Sequence, residues 1–475
     1  MNTSNSTNKT QAMHIAIIGS GSGAFACAIQ AAQAGATVTM IEAQAIVGGC
    51  CVNVGCVPSK ILIRAAHVAQ QQRHHPFAGV SQQPPVVQRA MLAAQQIERV
   101  EMLRQAKYQD VLAQNPAITL VRGHAHFQDA QHLVVVNEQG DCHSVQADKI
   151  VIATGSKASI PEIQGLADTP YWTSDEAVFS ERLPKHLLVI GSSVIALELA
   201  QAYLRLGSAV TLLARSQLLS RLDPELGDGL SQALTAECMT ILTDSQISQV
   251  DYAEQQFTLQ TNHGALIADQ LLVCTGRHAN TAHLDLDAAG VHTLPNGQIP
   301  VNAHLQTNVP TIYAVGDCTT LDQYVYVAAA AGSRAGQHAT GTEAALNLDV
   351  LPAVIFTDPQ VATVGFSVAQ AEQRGLSVVS RSLSLDNVPR ALVNFDTQGF
   401  IKLVADAHTE RLLGAQILAA EGGEVIQAAA LAIANHMTIP ELANQLFPYL
   451  TMVEGLKLCA QTFHQDVKQL SCCAG

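Results

Sequence analysis

No uninterrupted apolar stretch in the 475 residues reaches the roughly 18 to 20 positions that a membrane-spanning helix needs, although hydrophobic types make up 48% of the chain. A membrane is therefore not an expected partner. Positive charge is also scarce: 25 Lys and Arg stand against 39 Asp and Glu, a net charge of −14, and no basic block occurs. Such a field repels phosphate backbones and anionic lipid, which argues against nucleic acid as a partner. The opening "MNTSNSTNKT" lacks the basic start and apolar run of a secretory signal or transit peptide. We read residues 1–12 as a disordered tail and expect a cytoplasmic protein. In a reducing cytosol, eleven cysteines do not form a disulfide framework, so redox chemistry or metal binding is the expected use of any that cluster.

What is present is an internal repeat. "HIAIIGSGSGAFACAIQAAQAGATVTMIE" starts at His14 and "HLLVIGSSVIALELAQAYLRLGSAVTLLAR" at His186, an offset of 172 that sets Gly19 on Gly191, Ala24 on Ala196 and Gly35 on Gly207. Each copy reads as strand, tight glycine turn, helix and second strand. That order suits a dinucleotide: Gly19 makes the turn, Gly21 lets the backbone approach a pyrophosphate and small Ala24 lets the helix pack close. Glu42 closes the second strand of the first copy, where a carboxylate can accept from a ribose diol. In the second copy Ser193 replaces the middle glycine, which loosens the fit. Ala214 stands opposite Glu42, with Arg215 next and Arg221 six residues on. A lost carboxylate and gained cations suit a ribose 2′-phosphate, so the second site is expected to prefer NADPH.

Just after the first copy comes "VGGCCVNVGCVPSK", with Cys51 and Cys56 five positions apart behind a glycine pair and ahead of the helical run "KILIRAAHVAQQQ". Cys56 is thus expected at a helix N-terminus, a location that lowers a thiol's pKa and improves it as nucleophile and metal ligand. This C-x4-C resembles the redox pair of the pyridine nucleotide–disulfide oxidoreductases. The resemblance extends over nearly the whole chain, through "IVIATGS" (150–156), the second repeat, "TIYAVGDCT" (311–319) and "FTDPQVATVGFS" (356–367).

The resemblance implies an α/β fold of two Rossmann-like nucleotide-binding domains plus a C-terminal α+β dimerisation domain, as in glutathione reductase. It implies FAD held by Gly19, Gly21, Ala24, Glu42, Gly49, Lys60, Thr154, Gly155 and Asp317. NADPH would be held on the opposite flavin face by Gly191, Ser193, Glu198, Arg215, Arg221 and Gly276. Lys60 and Glu198 would form an ion pair near the flavin, Cys56 would lie against the flavin, and Cys51 would exchange with substrate. From these landmarks we expect an FAD domain at 13–155, an NADPH domain at 156–281, a second FAD-binding or central part at 282–350, and an interface domain at 351–475. Within the last, "GFIKLVADAHTERLLGAQIL" (399–418) reads as a hairpin.

Members that act on disulfides protonate the departing thiolate with a His five residues before a Glu. This chain reads "FPYLTMVEGLKL", with Tyr449 in the His position and Glu454 kept. A phenol of pKa about 10 is a poor proton shuttle at neutral pH. The chain ends "SCCAG". Adjacent Cα atoms lie about 3.8 Å apart, less than the roughly 4.4 to 6.8 Å of a relaxed disulfide, so Cys472 and Cys473 suit a soft cation better than each other.

Taken together these features resemble the branch of the family that reduces Hg(II). The resemblance implies that Cys472 and Cys473 of one subunit collect Hg(II) from small thiols and pass it to Cys51 and Cys56 of the other, making a homodimer the working unit. Tyr449 would then line or ligate the metal pocket, and Tyr108 is nominated as its partner, a half-buried helix tyrosine being the alternative. Only the polar tail precedes His14, so the N-terminal metal-binding domain that many such enzymes carry is expected to be absent. Cys50 is read as a packing substitution. His124 and His126 lack a third ligand and read as a solvated strand face, while Cys27, Cys142, Cys238, Cys274, Cys318 and Cys459 read as ordinary small side chains. Competing readings are a reductase of a disulfide or other soft-metal compound, and a thiol protein that sequesters metal without turnover.

Overall fold

The computed structural model describes residues 12–466. The chain forms two compact units. The first takes the chain up to Pro58 together with Ala94–Ser159 and Arg277–Asn347, and the second takes Ser59–Ala93, Ile160–Gly276 and the chain from Leu348 onward.

The first unit is built on a five-stranded parallel sheet in the spatial order Ile312–Ala314, Lys149–Ile152, His14–Ile18, Thr37–Glu42, Ile118–Arg122. Ile15, Ala16 and Ile17 are fully buried, as expected of a parallel strand covered on both faces. The helix Ser22–Gln33 follows the glycine turn and packs along the helix Val325–Ala339. A three-stranded antiparallel sheet, His124–Phe127, His132–Val136 and Cys142–Gln146, interrupts the nucleotide fold. On its first strand Ala125 and Phe127 point inward, leaving His124 exposed and His126 only partly covered, so the histidine pair does lie on the wetter strand face.

The second unit repeats this plan with a four-stranded parallel sheet, Thr240–Leu242, Ala209–Leu213, His186–Ile190 and Gln270–Val273, and its own antiparallel insertion from Ile247 to Ala268. The offset of the sequence repeat survives in atomic detail. His14 pairs with Thr37 and His186 with Ala209 in parallel register. His14 Nε2 meets Thr39 Oγ1 at 2.9 Å, and His186 Nε2 meets Thr211 Oγ1 at 2.9 Å. Gly19 and Gly191 both have positive φ, +111° and +123°, and a Cβ on either would collide with a backbone carbonyl, that of Ala153 or Cys274. Glycine is required at these two turns by conformation and by space alike.

The rest of the second unit is an antiparallel five-stranded sheet in the order Ala353–Ile355, Gln360–Gly365, Leu412–Ala419, Phe400–Asp406, Val378–Ser384. The hairpin expected at 399–418 is there, with Phe400 opposite Leu418. Helix Gly422–Ala434 buries Val425, Ile426 and Ala429 against this sheet. Lys402, largely buried, reaches Asp223 at 2.9 Å and Glu225 at 2.7 Å at the start of helix Pro224–Ala236. Among the described residues no helix is long and apolar enough to cross a membrane.

Candidate redox and dinucleotide sites

The cysteine stretch folds as a five-residue helix, Gly49–Asn53, and then the helix Cys56–Arg73. Cys51 lies in the former, and Cys56 opens the latter, where unpaired backbone N–H groups favour negative charge. The turn between them closes as Val54 and Gly55 both donate to the Cys50 carbonyl, at 2.9 and 2.7 Å. Both thiols are partly covered. The Cys51 thiol is pushed far above the ordinary cysteine range, first by its hydrogen bond with Cys56, then by burial and by charge on the neighbouring sulfurs.

The glycine pair ahead of the cysteines has a packing cause. Gly48 and Gly49 adopt φ of +108° and +67°. A Cβ on Gly49 would fall 2.7 Å from Gly21 Cα, and one on Gly48 would meet Val52 and the Tyr108 ring. Gly48 also donates to the Ser20 carbonyl at 3.0 Å. The cysteine turn is thereby pressed onto the glycine turn of the first repeat.

Tyr108 sits on a wide π-type turn, Gln105–Gln109, within an otherwise α-helical segment, a feature that often accompanies functional positions. Its ring packs edge-on to Phe25 at 4.8 Å, and its hydroxyl lies 3.3 Å from Ser22 Oγ. Burial raises its pKa, and the charges of Cys51 and Cys56 add to the effect. Tyr108 thus shares its surroundings with the cysteine pair. The π turn had no signature in the sequence.

Around the first glycine turn, Glu42 accepts from the Ser20 hydroxyl at 2.5 Å and from the Gln44 N–H at 2.8 Å. No side chain caps helix Ser22–Gln33, whose N-cap is Gly21 in extended conformation. Asp317, on the turn Gly316–Cys318, accepts from the Ser156 hydroxyl at 2.8 Å and lies 3.8 Å from Arg277 Nε. Asn280 holds the Thr154–Gly155 corner, donating to the Thr154 carbonyl through its side chain and to the Gly155 carbonyl through its N–H. Arg277, Ser156 and Asn280 were not singled out in the sequence, although Arg277 follows Gly276 directly. Arg277 also points a guanidinium nitrogen at Cys50 Sγ, 3.8 Å away. Glycines stacked without room for a Cβ, a bare helix N-terminus and a carboxylate at the strand end fit the pyrophosphate and ribose of a flavin dinucleotide.

In the second unit Ser193 caps helix Val194–Leu206 with φ −90°, ψ −179°, close to the φ −78°, ψ −176° of Gly21. The middle position of the motif thus asks for no left-handed backbone, and serine occupies it without strain. Arg215 and Arg221 are exposed beyond the strand Ala209–Leu213, while Ala214 is fully buried. Gly276 has φ +120° and open space where a side chain would project.

Lys60 Nζ meets Glu198 Oε2 at 2.7 Å, and Glu198 Oε1 accepts the Phe356 N–H at 2.9 Å. Lys60 also lies over the Phe356 ring, 4.8 Å from its centre. Lys60 follows Cys56 by four residues on one helix, so both share a helix face.

Tyr449, half-exposed, lies between helices Ile439–Ala443 and Glu454–Gln461. Glu454 accepts the Leu450 N–H at 3.2 Å, and burial raises its pKa. Glu454 thus fastens the backbone beside Tyr449. Cys472 and Cys473 lie outside the described residues. Of the scattered thiols, burial pushes Cys27, Cys274 and Cys459 up to about 12, while Cys142 and Cys238 are exposed.

Residues 13–336 match the family Pyridine nucleotide-disulphide oxidoreductase and residues 351–460 its dimerisation domain. The chain belongs to that family. Within it the relatives include mercuric reductases: that of Shewanella putrefaciens is 61% identical over 99% of this chain and 84% of its own length. That of Shigella flexneri is 56% identical over 99% and 84%, and that of Streptomyces lividans 43% identical over 97% and 98%. Among solved structures, the HOCl-induced flavoprotein disulfide reductase RclA from Escherichia coli superposes with a TM-score of 0.84 at 28% identity, covering 94% of this chain and 99% of its own.

Proposed function

We propose that the protein is a mercury(II) reductase using FAD and NADPH. The observation that carries the reading is the hydrogen-bonded Cys51–Cys56 thiol pair in a chain 61% identical to a mercuric reductase, with Tyr449 where disulfide-cleaving relatives keep a histidine. Bound flavin would pass two electrons from NADPH to the metal, so that Hg(II) and NADPH give Hg(0), NADP⁺ and H⁺.

The side chains supply ligands and orientation. Hg(II) is soft, and two thiolates displace the small thiols that carry it in ligand exchange, one sulfur for another. As Cys51 takes the ion, its thiol proton passes to a departing carrier thiolate, so each new Hg–S bond replaces one that breaks. Tyr108 walls this turn and fixes its position through Gly48. Lys60, held by Glu198, offers a placed cation one helical turn from Cys56. Tyr449 provides a hydroxyl that would line or ligate the metal pocket.

Cys472 and Cys473 would deliver the ion to the cysteine pair of a partner subunit, in a cytoplasmic homodimer joined by the 351–460 region. Arg215 and Arg221 would favour NADPH over NADH. The test is anaerobic NADPH oxidation with Hg(II) and excess small thiol, comparing wild type with a Cys472→Ala/Cys473→Ala double variant. Hg(0) formation, slowed most in the variant when the carrier thiol is bulky, is expected. Turnover of oxidised glutathione without Hg(0), or a colourless protein that binds Hg(II) without oxidising NADPH, would replace the reading.

A further inference from the structure

Outside the redox site, one cluster of metal-ligating side chains stands out among the described residues. His304, His338 and Glu343 each place a ligand atom within 4.8 Å of the others. We propose that these three residues form a site for a borderline divalent cation of the Zn(II) class, separate from the sulfur ligands used for Hg(II).

The local fold brings the three together from separate stretches. His338 lies in the last turn of helix Val325–Ala339, where the carbonyl end of the helix favours a cation. The chain then reverses at Gly341, φ +96°, as Gly341 donates to the His338 carbonyl and Thr342 to that of Gln337. This turn sends Glu343 back along the helix end. His304 sits in a turn set by the Asn302 side chain, which accepts the His304 N–H at 2.9 Å. Leu346 donates to the Ala303 carbonyl at 2.8 Å, tying the segment of Glu343 to the turn of His304.

The side chains are arranged as a ligand set. The two imidazoles stack, centres 4.5 Å apart at 23°. His304 Nδ1 is buried with no hydrogen-bond partner and lies 3.5 Å from a Glu343 carboxylate oxygen. A buried ring nitrogen without a hydrogen bond is costly, and a cation between it and the Glu343 carboxylate would supply what it lacks. His338 Nδ1 is engaged by the Tyr313 hydroxyl at 2.9 Å, and Tyr313 is buried. That bond leaves Nε2 for a metal and fixes the ring, the usual arrangement behind a histidine ligand. The Glu343 side chain is 80% exposed, so it can swing the remaining distance to the about 2.0 to 2.2 Å of a metal bond. Two imidazoles and a carboxylate without a thiolate favour Zn(II), Cu(II) or Ni(II) over a soft ion.

The experiment uses flavin-loaded protein with its accessible thiols alkylated, dialysed against Zn(II) or Co(II). One equivalent per chain is expected, with a Co(II) visible spectrum free of sulfur charge-transfer bands. Binding should be lost in His304→Ala and weakened at least about 10-fold in Glu343→Gln and in Tyr313→Phe. Glu343→Gln alters an exposed side chain and should keep wild-type Hg(II) turnover, which separates this site from the redox site. Equal ion content in wild type and His304→Ala, each shown folded by circular dichroism, would overturn the proposal. So would a Co(II) spectrum carrying sulfur bands.

Discussion

A Cβ atom on Gly49 would stand 2.7 Å from the Cα of Gly21, so the cysteine turn and the glycine turn of the first repeat touch backbone to backbone. Such a contact couples two motifs that the sequence separates by nearly thirty residues. Gly49→Ala must either push the cysteines off the dinucleotide turn or strain a left-handed backbone, at a cost of about 1 to 3 kcal/mol. The expected result is a protein that loses flavin on gel filtration. Flavin absorbance per chain and a denaturant titration check it.

Lys60 and Glu198 are unequal partners, the carboxylate buried and the ammonium partly exposed. Lys60→Ala leaves a buried charge with only the Phe356 N–H for support and should destabilise by about 3 kcal/mol. Glu198→Gln keeps that N–H bond and frees an ammonium that water can reach, so its loss should be no more than about 1 kcal/mol. Urea unfolding of the two variants measures the order. In stopped-flow, both should slow flavin reduction by NADPH.

Asp358 carries a pH signature in stability. Burial alone would raise it, but the hydrogen bond with His67 and the charge of Arg205 outweigh burial and hold it at about 2. Arg205 Nη1 lies 2.8 Å from the carboxylate. A depressed carboxylate stabilises the fold above its unfolded pKa, about 3.9, and loses that stabilisation as pH falls toward about 2. The side chain is partly exposed, so the expected loss is on the order of 1 to 2 kcal/mol. Unfolding free energies between pH 5 and pH 2 should fall less steeply in Asp358→Asn than in wild type.

Arg215 is exposed one residue beyond Ala214, which stands opposite Glu42 of the first repeat. Arg215→Glu exchanges the cation for a carboxylate and should shift the ratio of kcat/KM for NADPH over NADH toward NADH by at least about 10-fold, the equivalent of one charge-assisted bond lost. An unchanged ratio would leave Arg221 or the backbone as the source of any preference.

Much of this protein is legible along the chain because its main devices are local. The two glycine turns, the strand registers 172 residues apart, Cys56 at a helix start and the hairpin near the C-terminus all follow from spacing within thirty residues or fewer. Apolar periodicity and the steric demands of glycine act over that range, so a single sequence displays them. Other features depend on which surfaces pack together. The pressing of Gly49 onto Gly21, the π turn that sets Tyr108 beside Ser22, the hold of Arg277 on Ser156, and the meeting of His304, His338 and Glu343 arise only once helices and sheets are packed. Side-chain partners of this kind are chosen by shape and distance in three dimensions, and residue order records neither.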